Sequence, residues 1–181
     1  DASALDAASA AFEQVVEAGW VVDGVLSQSE AQAAALWQLR EGISESIAGY
    51  TPYKNDLAVR ISQMPDFIEA VDTLVTSNYP DFEVCWYGHI GDGNLHLNIL
   101  RPDDLPVEDF YQRCHSISPK LFEEVRNRQG SISAEHGVGL LKRDFLGYSR
   151  TPEELAIMYG MKSLLDPGQV MNPGKLLPES N

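Results

Sequence analysis

The chain has 181 residues, of which 44% are hydrophobic, enough for one compact domain with a sizeable core and too apolar for an extended disordered protein. It carries 27 acidic against 13 basic residues, a formal charge of −14, which argues against nucleic acid or an anionic membrane as partner, since both call for a positive surface. The two cysteines, Cys85 and Cys114, lack C-x-x-C spacing and point to a reducing, cytoplasmic setting, with Cys85 read as a buried structural thiol. No apolar run approaches the roughly 20 residues of a membrane span, and Asp1-Ala2-Ser3 does not read as a signal peptide.

In chain order, Ala2 to Ala18 reads as an alanine-rich helix stopped by Gly19, followed by a short strand or extended connector over 20–26. Ser27 and Glu30 form a capping-box pattern, and the helix they open is expected to run through Leu36, Trp37, Leu39 and Ile43 to about Ala48. A strand over Asp56 to Ser62 comes next, then a helix opened by Pro65, and then two strands of a hairpin. A long helical stretch from Pro106 to Arg128 is expected to break or kink at Pro119, and Ser131 to Ala134 supplies a fourth strand. This order predicts an α+β fold, a ferredoxin-like βαββαβ antiparallel sheet with spatial order 4-1-3-2 and flanking helices. Helical residues 137–146 and a second capping box at Thr151, Pro152 and Glu154, opening a helix to about Leu165, form a helical C-terminal extension. The division is leading helices 1–50, core 54–136 and tail 137–181. The segments Asp166-Pro167-Gly168 and Asn172-Pro173-Gly174 read as turns.

The hairpin carries the chemistry. A two-residue loop at Asp92-Gly93 pairs Gly91 with Asn94, Ile90 with Leu95 and His89 with His96, placing both imidazoles on one face about 5 Å apart at Cβ. That is metal-chelating geometry, and Glu135, in Ser133-Ala134-Glu135-His136-Gly137, offers a third ligand of the kind zinc accepts. Two histidines alone also fit a plain polar cross-strand pair; the nearby Glu-His dipeptide followed by glycines favours a site. In the expected strand order Glu135 lies two strands away, so the three groups meet only on the sheet face above a small residue such as Ala58, or if the strands are staggered. Arg40 and Ser44, four apart on one predicted helix, share a face on which a guanidinium and a hydroxyl can take a carboxylate, and Lys54 supplies a further positive charge. An arginine on a helix of an acidic protein also suits a solvated or ion-paired surface role. Lys142 and Arg143 read as solvated charges, and His115 as a helix-face residue.

Residues 87–100 (YGHIGDGNLHLNIL), 131–139 (SISAEHGVG) and 166–175 (DPGQVMNPGK) together resemble the carboxy-terminal cap domain of FAD-linked D-2-hydroxyacid dehydrogenases, nearest to the branch acting on D-2-hydroxyglutarate. The resemblance spans about Ser27 to Leu177. It implies oxidation of a D-2-hydroxy acid to the 2-oxo acid with hydride transfer to FAD. It also implies a divalent metal, zinc as first choice, on His89, His96 and Glu135, and His136 as general base. Substrate contacts fall to Arg40, Ser44, Lys54 and Asn98, and Asn172 comes near the flavin. Imidazole titrates near neutral pH, which suits the base role, and a metal on the same hydroxyl eases proton loss.

No G-x-G-x-x-G loop occurs, so the FAD-binding domain is expected upstream, with this chain as one inactive, colourless part of a larger enzyme. An electron-acceptor protein and a homodimer belong to the same expectation. Two basic anchors favour a dicarboxylate over a D-lactate- or glycolate-type substrate. Competing readings are a metal- or metabolite-binding module without chemistry, and a zinc hydrolase, which the absence of HExxH spacing disfavours.

Overall fold

In the computed structural model, which describes residues 2–178, the chain divides into a leading unit up to Ser46 and a main unit from Ile47 onward. The leading unit contains helices α1 (Ala2–Glu17), α2 (Glu30–Glu41) and α3 (Ile43–Ser46). Gly19 stops α1 as its position suggests, Gly19 N donating to Val16 O and Trp20 N to Val15 O. The segment 20–26 is a connector without strand pairing. The expected Ser27 cap is not the one used. Ser29 Oγ accepts from Gln32 N at 3.3 Å, so α2 starts at Glu30. Nor does one helix run to Ala48: Gly42, a poor helix former, closes α2, and a single turn follows as α3.

The main unit contains β1 (Tyr53–Ala58), α4 (Met64–Asn78), β2 (Glu83–His89), β3 (Asn94–Leu100), α5 (Val107–Asn127), α6 (Gly139–Lys142) and α7 (Pro152–Leu165). The strands form an antiparallel sheet of order β1-β3-β2, and the class is α+β as the patterning predicts. Strand residues alternate between faces. Leu57, Leu95, Leu97 and Ile99 turn inward and join Phe67 and Val71 of α4 and Phe110, Leu121 and Phe122 of α5 in one core. Phe67, Leu57, Leu97 and Ile99 are fully buried, each worth roughly 1.5–3 kcal/mol relative to exposure. Trp86 meets Phe67 edge-on and its Nε1 donates to Asp72 at 2.7 Å, which satisfies its one polar atom. The alternation leaves Lys54, Asp56, His96, Asn98, Tyr87 and His89 on the opposite face.

Several boundaries differ from the expected ones. β1 covers Tyr53–Ala58 and not 56–62, because Val59 N turns to Gly93 O and residues Ile61–Gln63 wind into a 3₁₀ turn before α4. The fourth strand shrinks to one bridge, Ala58 to Ser131. Ser131 exchanges backbone hydrogen bonds with Ala58 at 2.8 and 2.9 Å, but Ile132 N donates to Ser149 Oγ and Ser131 Oγ accepts from Ser133 N, which takes these donors out of any ladder. The ferredoxin-like order therefore ends as βαββα plus a bridge, set beside β1 where the order 4-1-3-2 would put the last strand.

α5 passes Pro119 without breaking. Its buried stripe, Phe110, Cys114 and Ile117 before the proline and Leu121, Phe122 and Val125 after it, is anchored on both sides, so packing outweighs the one backbone bond lost. The expected helix over 137–146 is one turn of α6 followed by a 3₁₀ segment, Arg143–Tyr148. The second capping box forms in full: Thr151 Oγ1 accepts from Glu154 N at 3.2 Å, and Thr151 N donates to Glu154 Oε2 at 2.7 Å. Among the described residues no helix is long and apolar enough to cross a membrane.

Candidate metal centre

The β2–β3 connection is a loop over Ile90–Gly93, longer than the expected two-residue turn. Asp92 N donates to His89 O at 3.3 Å, and Asp92 Oδ1 accepts from Asn94 N at 3.2 Å. Gly93 has φ +78°, and a Cβ there would lie 2.1 Å from Val59 O. Its carbonyl accepts from Val59 N at 3.1 Å, so the loop is drawn towards β1 and only glycine fits the approach. Gly88 is as tightly placed, with Asn94 O 2.2 Å from where its Cβ would be.

This loop changes the expected register: His89 faces Asn94, and His96 faces Tyr87. The partner of His89 shifts by two residues, an even number, so the histidines keep a common face on a diagonal, with ring centroids 5.8 Å apart.

Glu135 reaches them by a route that the bridge at Ala58 provides. Beyond Ser131 the chain crosses the edge of β1, and the Asp56 carboxylate receives it: Oδ2 accepts from Glu135 N at 2.7 Å and from His136 N at 3.3 Å. Lys142 ties the same crossing down from below, its Nζ donating to Ile132 O at 2.7 Å and Asp56 O at 3.4 Å. The donor atoms of His89, His96 and Glu135 then lie within 4.8 Å of one another. His89 Nδ1 is 3.0 Å from Glu135 Oε1, and Asn94 Nδ2 donates to the same oxygen while lying 3.3 Å from His89 Nδ1. Two imidazoles and a carboxylate suit a borderline divalent ion, whose donors at about 2.1 Å would sit roughly 3.4 Å apart in tetrahedral geometry. Small side-chain movements give that spacing, so the residues fit the ion.

The histidines differ in surroundings. His96 is 16% exposed beside Asp56, whereas His89 is 51% exposed. Burial pushes the His96 imidazole below its ordinary value against the opposing pull of the Asp56 and Glu135 carboxylates, which favours the neutral, ligating form. His136 is 71% exposed with Nε2 3.4 Å from Glu135 Oε2, open to an incoming molecule.

Lys54 is exposed on this face, opposite Asn98 in register. Asn98 is buried and its Oδ1 finds no hydrogen-bond partner among the described residues, an acceptor that a ligand donor would satisfy. Arg40 lies in the last turn of α2 and Ser44 in α3, in the leading unit, so the two flank Gly42 and do not ride one continuous helix as expected.

Asn172 sits in the tail in the left-handed region, φ 47°. It lines a cleft of about 590 Å³ with Met158, Met161, Leu165 and Met171. The turn before it is more than a plain one. Asp166 is buried, accepts from Val170 N and Met171 N at 2.9 and 3.0 Å and pairs with Lys162, which holds its carboxyl below the usual carboxylate range.

Three residues of the centre, Asp56, Asn94 and Lys142, have roles that the sequence did not indicate. Asp56 was legible in part, because it is two residues from Lys54 and must share its face. Asn94 surfaced only through the wrong register. Lys142 and Arg143 are bonded and not merely solvated: Lys142 holds two carbonyls, and Arg143 donates to Gly174 O. Cys85 is half-buried on the site face, and Asn98 Nδ2 reaches its carbonyl at 3.5 Å. His115 packs edge-on to Tyr53 at 5.3 Å, apart from the motifs.

Residues 1–176 match the family described as FAD linked oxidases, C-terminal domain, and the chain belongs to that family. Among its relatives, a D-2-hydroxyglutarate dehydrogenase of Stutzerimonas stutzeri (strain A1501) is 54% identical over 169 residues, 93% of this chain and 36% of the relative. One of the same name from Xanthomonas citri pv. viticola is 55% identical over 94% of this chain and 36% of the relative. The mitochondrial D-2-hydroxyglutarate dehydrogenase of Bos taurus is 40% identical over 92% of this chain and 30% of the relative. The chain thus spans about a third of the length of these curated relatives.

Proposed function

We propose that this chain is the substrate-facing domain of an FAD-dependent dehydrogenase that oxidises a D-2-hydroxy acid to the 2-oxo acid, with D-2-hydroxyglutarate as the preferred substrate. The observation that carries the reading is the gathering of His89, His96 and Glu135 within 4.8 Å, with His136 next in the chain. The names of the most similar relatives support the substrate. In this reading the three donors hold a divalent ion, zinc as first choice. The ion would polarise the substrate hydroxyl, and the flavin would accept the hydride.

The chain's own residues do the rest. His136, exposed and beside the cluster, takes the hydroxyl proton on an imidazole nitrogen. Asn98, with its unmet buried acceptor, hydrogen-bonds the substrate. Lys54 on the same face attracts a carboxylate, and Arg40 and Ser44 of the leading unit serve a carboxylate too, which favours a dicarboxylate such as D-2-hydroxyglutarate or D-malate. Asn172 is the contribution to flavin binding, and another domain of the full-length protein holds most of the FAD, a reading supported by the third or so of the relatives' length that this chain spans. The free thiols of Cys85 and Cys114 fit a reducing, cytoplasmic setting.

Steady-state kinetics of the full-length protein on D-2-hydroxyglutarate, D-malate and D-lactate test this. Lys54→Ala is expected to raise KM for the dicarboxylates about 10-fold or more, the size of one lost charge-assisted hydrogen bond, with little change for D-lactate. Equal turnover of all three acids by the unaltered protein, or no effect of Lys54→Ala on D-2-hydroxyglutarate, contradicts the dicarboxylate assignment.

A further inference from the structure

We infer that Asp56 is a positioning residue of the metal centre, one carboxylate that both fixes the tautomer of His96 and anchors the segment bringing in Glu135. The inference rests on the reading of His89, His96 and Glu135 as metal ligands.

The two oxygens of Asp56 have separate tasks. Oδ2 accepts the backbone N–H groups of Glu135 and His136 at 2.7 and 3.3 Å. Oδ1 is buried with no hydrogen-bond partner among the described residues, and it stands 3.4 Å from His96 Nδ1. Asp56 and His96 are directly opposite in the β1–β3 register, so the sheet itself sets this pairing. Both side chains are largely shielded, at 15% and 16% exposure, which leaves water little part in satisfying them. A carboxylate can only accept, so the favourable partner for Oδ1 is a protonated Nδ1. A neutral imidazole with its proton on Nδ1 has its lone pair on Nε2, the nitrogen that remains for a metal. Carboxylate partners of this kind orient ligating histidines and raise their basicity.

Position adds a second consequence. The Glu135 segment leaves regular structure after the single bridge at Ala58–Ser131, and the bonds to Asp56 Oδ2 are its next attachment to β1. Loss of the carboxylate therefore disturbs two ligands at once, one through its tautomer and one through its backbone. Asp56→Asn separates the two effects. The amide oxygen can keep the bonds to Glu135 N and His136 N, while the NH₂ group, a donor, faces His96 Nδ1 and moves the imidazole proton to Nε2.

The test uses the full-length protein with ¹⁵N-labelled histidine, freed of metal. His96, assigned with a His96→Gln variant, is expected as the Nδ1–H tautomer in the unaltered protein and as the Nε2–H tautomer in Asp56→Asn. Zinc affinity, from competition with a chelator, is expected to fall 10- to 100-fold in Asp56→Asn and further in Asp56→Ala. An Nε2–H tautomer in the unaltered protein overturns the inference without recourse to any variant. Unchanged zinc affinity in Asp56→Asn, in a protein that loses zinc on His89→Ala, overturns the inference and leaves the metal centre standing. If His89→Ala and Glu135→Ala also leave zinc affinity unchanged, the metal reading itself falls.

Discussion

His89 stands opposite Asn94 across the β2–β3 ladder, and the Asn94 amide donates to Glu135 Oε1 while lying 3.3 Å from His89 Nδ1. Asn94 therefore holds the carboxylate at the imidazole from the side, and its own Oδ1 is buried without a partner among the described residues. Replacing it with leucine removes a donor and an unmet acceptor together, and Glu135 at 41% exposure regains water. Asn94→Leu is expected to keep stability within about 1 kcal/mol while weakening zinc binding about 10-fold. Urea unfolding and chelator competition on the same preparation check the pair of outcomes.

Gly93 sets where the hairpin turns. An added Cβ meets Val59 O at 2.1 Å in a backbone with φ +78°, so Gly93→Ala forces the loop away from β1. The expected cost is at least about 2 kcal/mol, from left-handed strain plus the clash. Denaturant unfolding measures it, and retention of full stability would show that the loop is free to move.

Half-buried Lys142 and buried Cys114 give the stability a pH dependence of opposite signs. Burial lowers the Lys142 ammonium to about 8 from 10.5, against the pull of Asp56. Between these values the unfolded chain binds the proton more fully, so the Lys142 contribution rises with pH from about 8 to 10.5, by at most roughly 3 kcal/mol. Burial raises the Cys114 thiol to about 12 from 9.0. There the folded state keeps its proton while the unfolded chain loses it, so the Cys114 contribution falls as pH rises above 9. The stability difference between the unaltered protein and Lys142→Met is expected to grow in favour of the unaltered protein from pH 8 to 10.5. The corresponding difference for Cys114→Ala should shrink above pH 9. Chemical denaturation across that range reads both.

Much of the fold was legible in the sequence: the two hairpin strands, the helix opened by Pro65 and the Thr151 capping box all formed. The errors fell where one backbone hydrogen bond competes with another. Ser131 pairs with β1, but Ile132 prefers Ser149 Oγ, and no period in the sequence reveals that choice. The hairpin register failed through the pull of Val59 on the Gly93 carbonyl, a contact distant in sequence. The common face of His89 and His96 survived because strand faces depend only on parity. Pro119 is the opposite case: a local rule predicted a break or a kink, and α5 stays one helix with buried side chains on both sides of the proline.

Metal content reports on the His89, His96 and Glu135 cluster without any intervening step. Elemental analysis of the full-length protein after exhaustive dialysis should find close to one divalent ion per chain, lost on His89→Ala, His96→Ala or Glu135→Ala. His136→Ala should retain the ion while turnover of D-2-hydroxyglutarate falls by about 100-fold or more, the scale of a lost general base. A full complement of metal in all three ligand variants, or unchanged turnover without His136, would contradict the account.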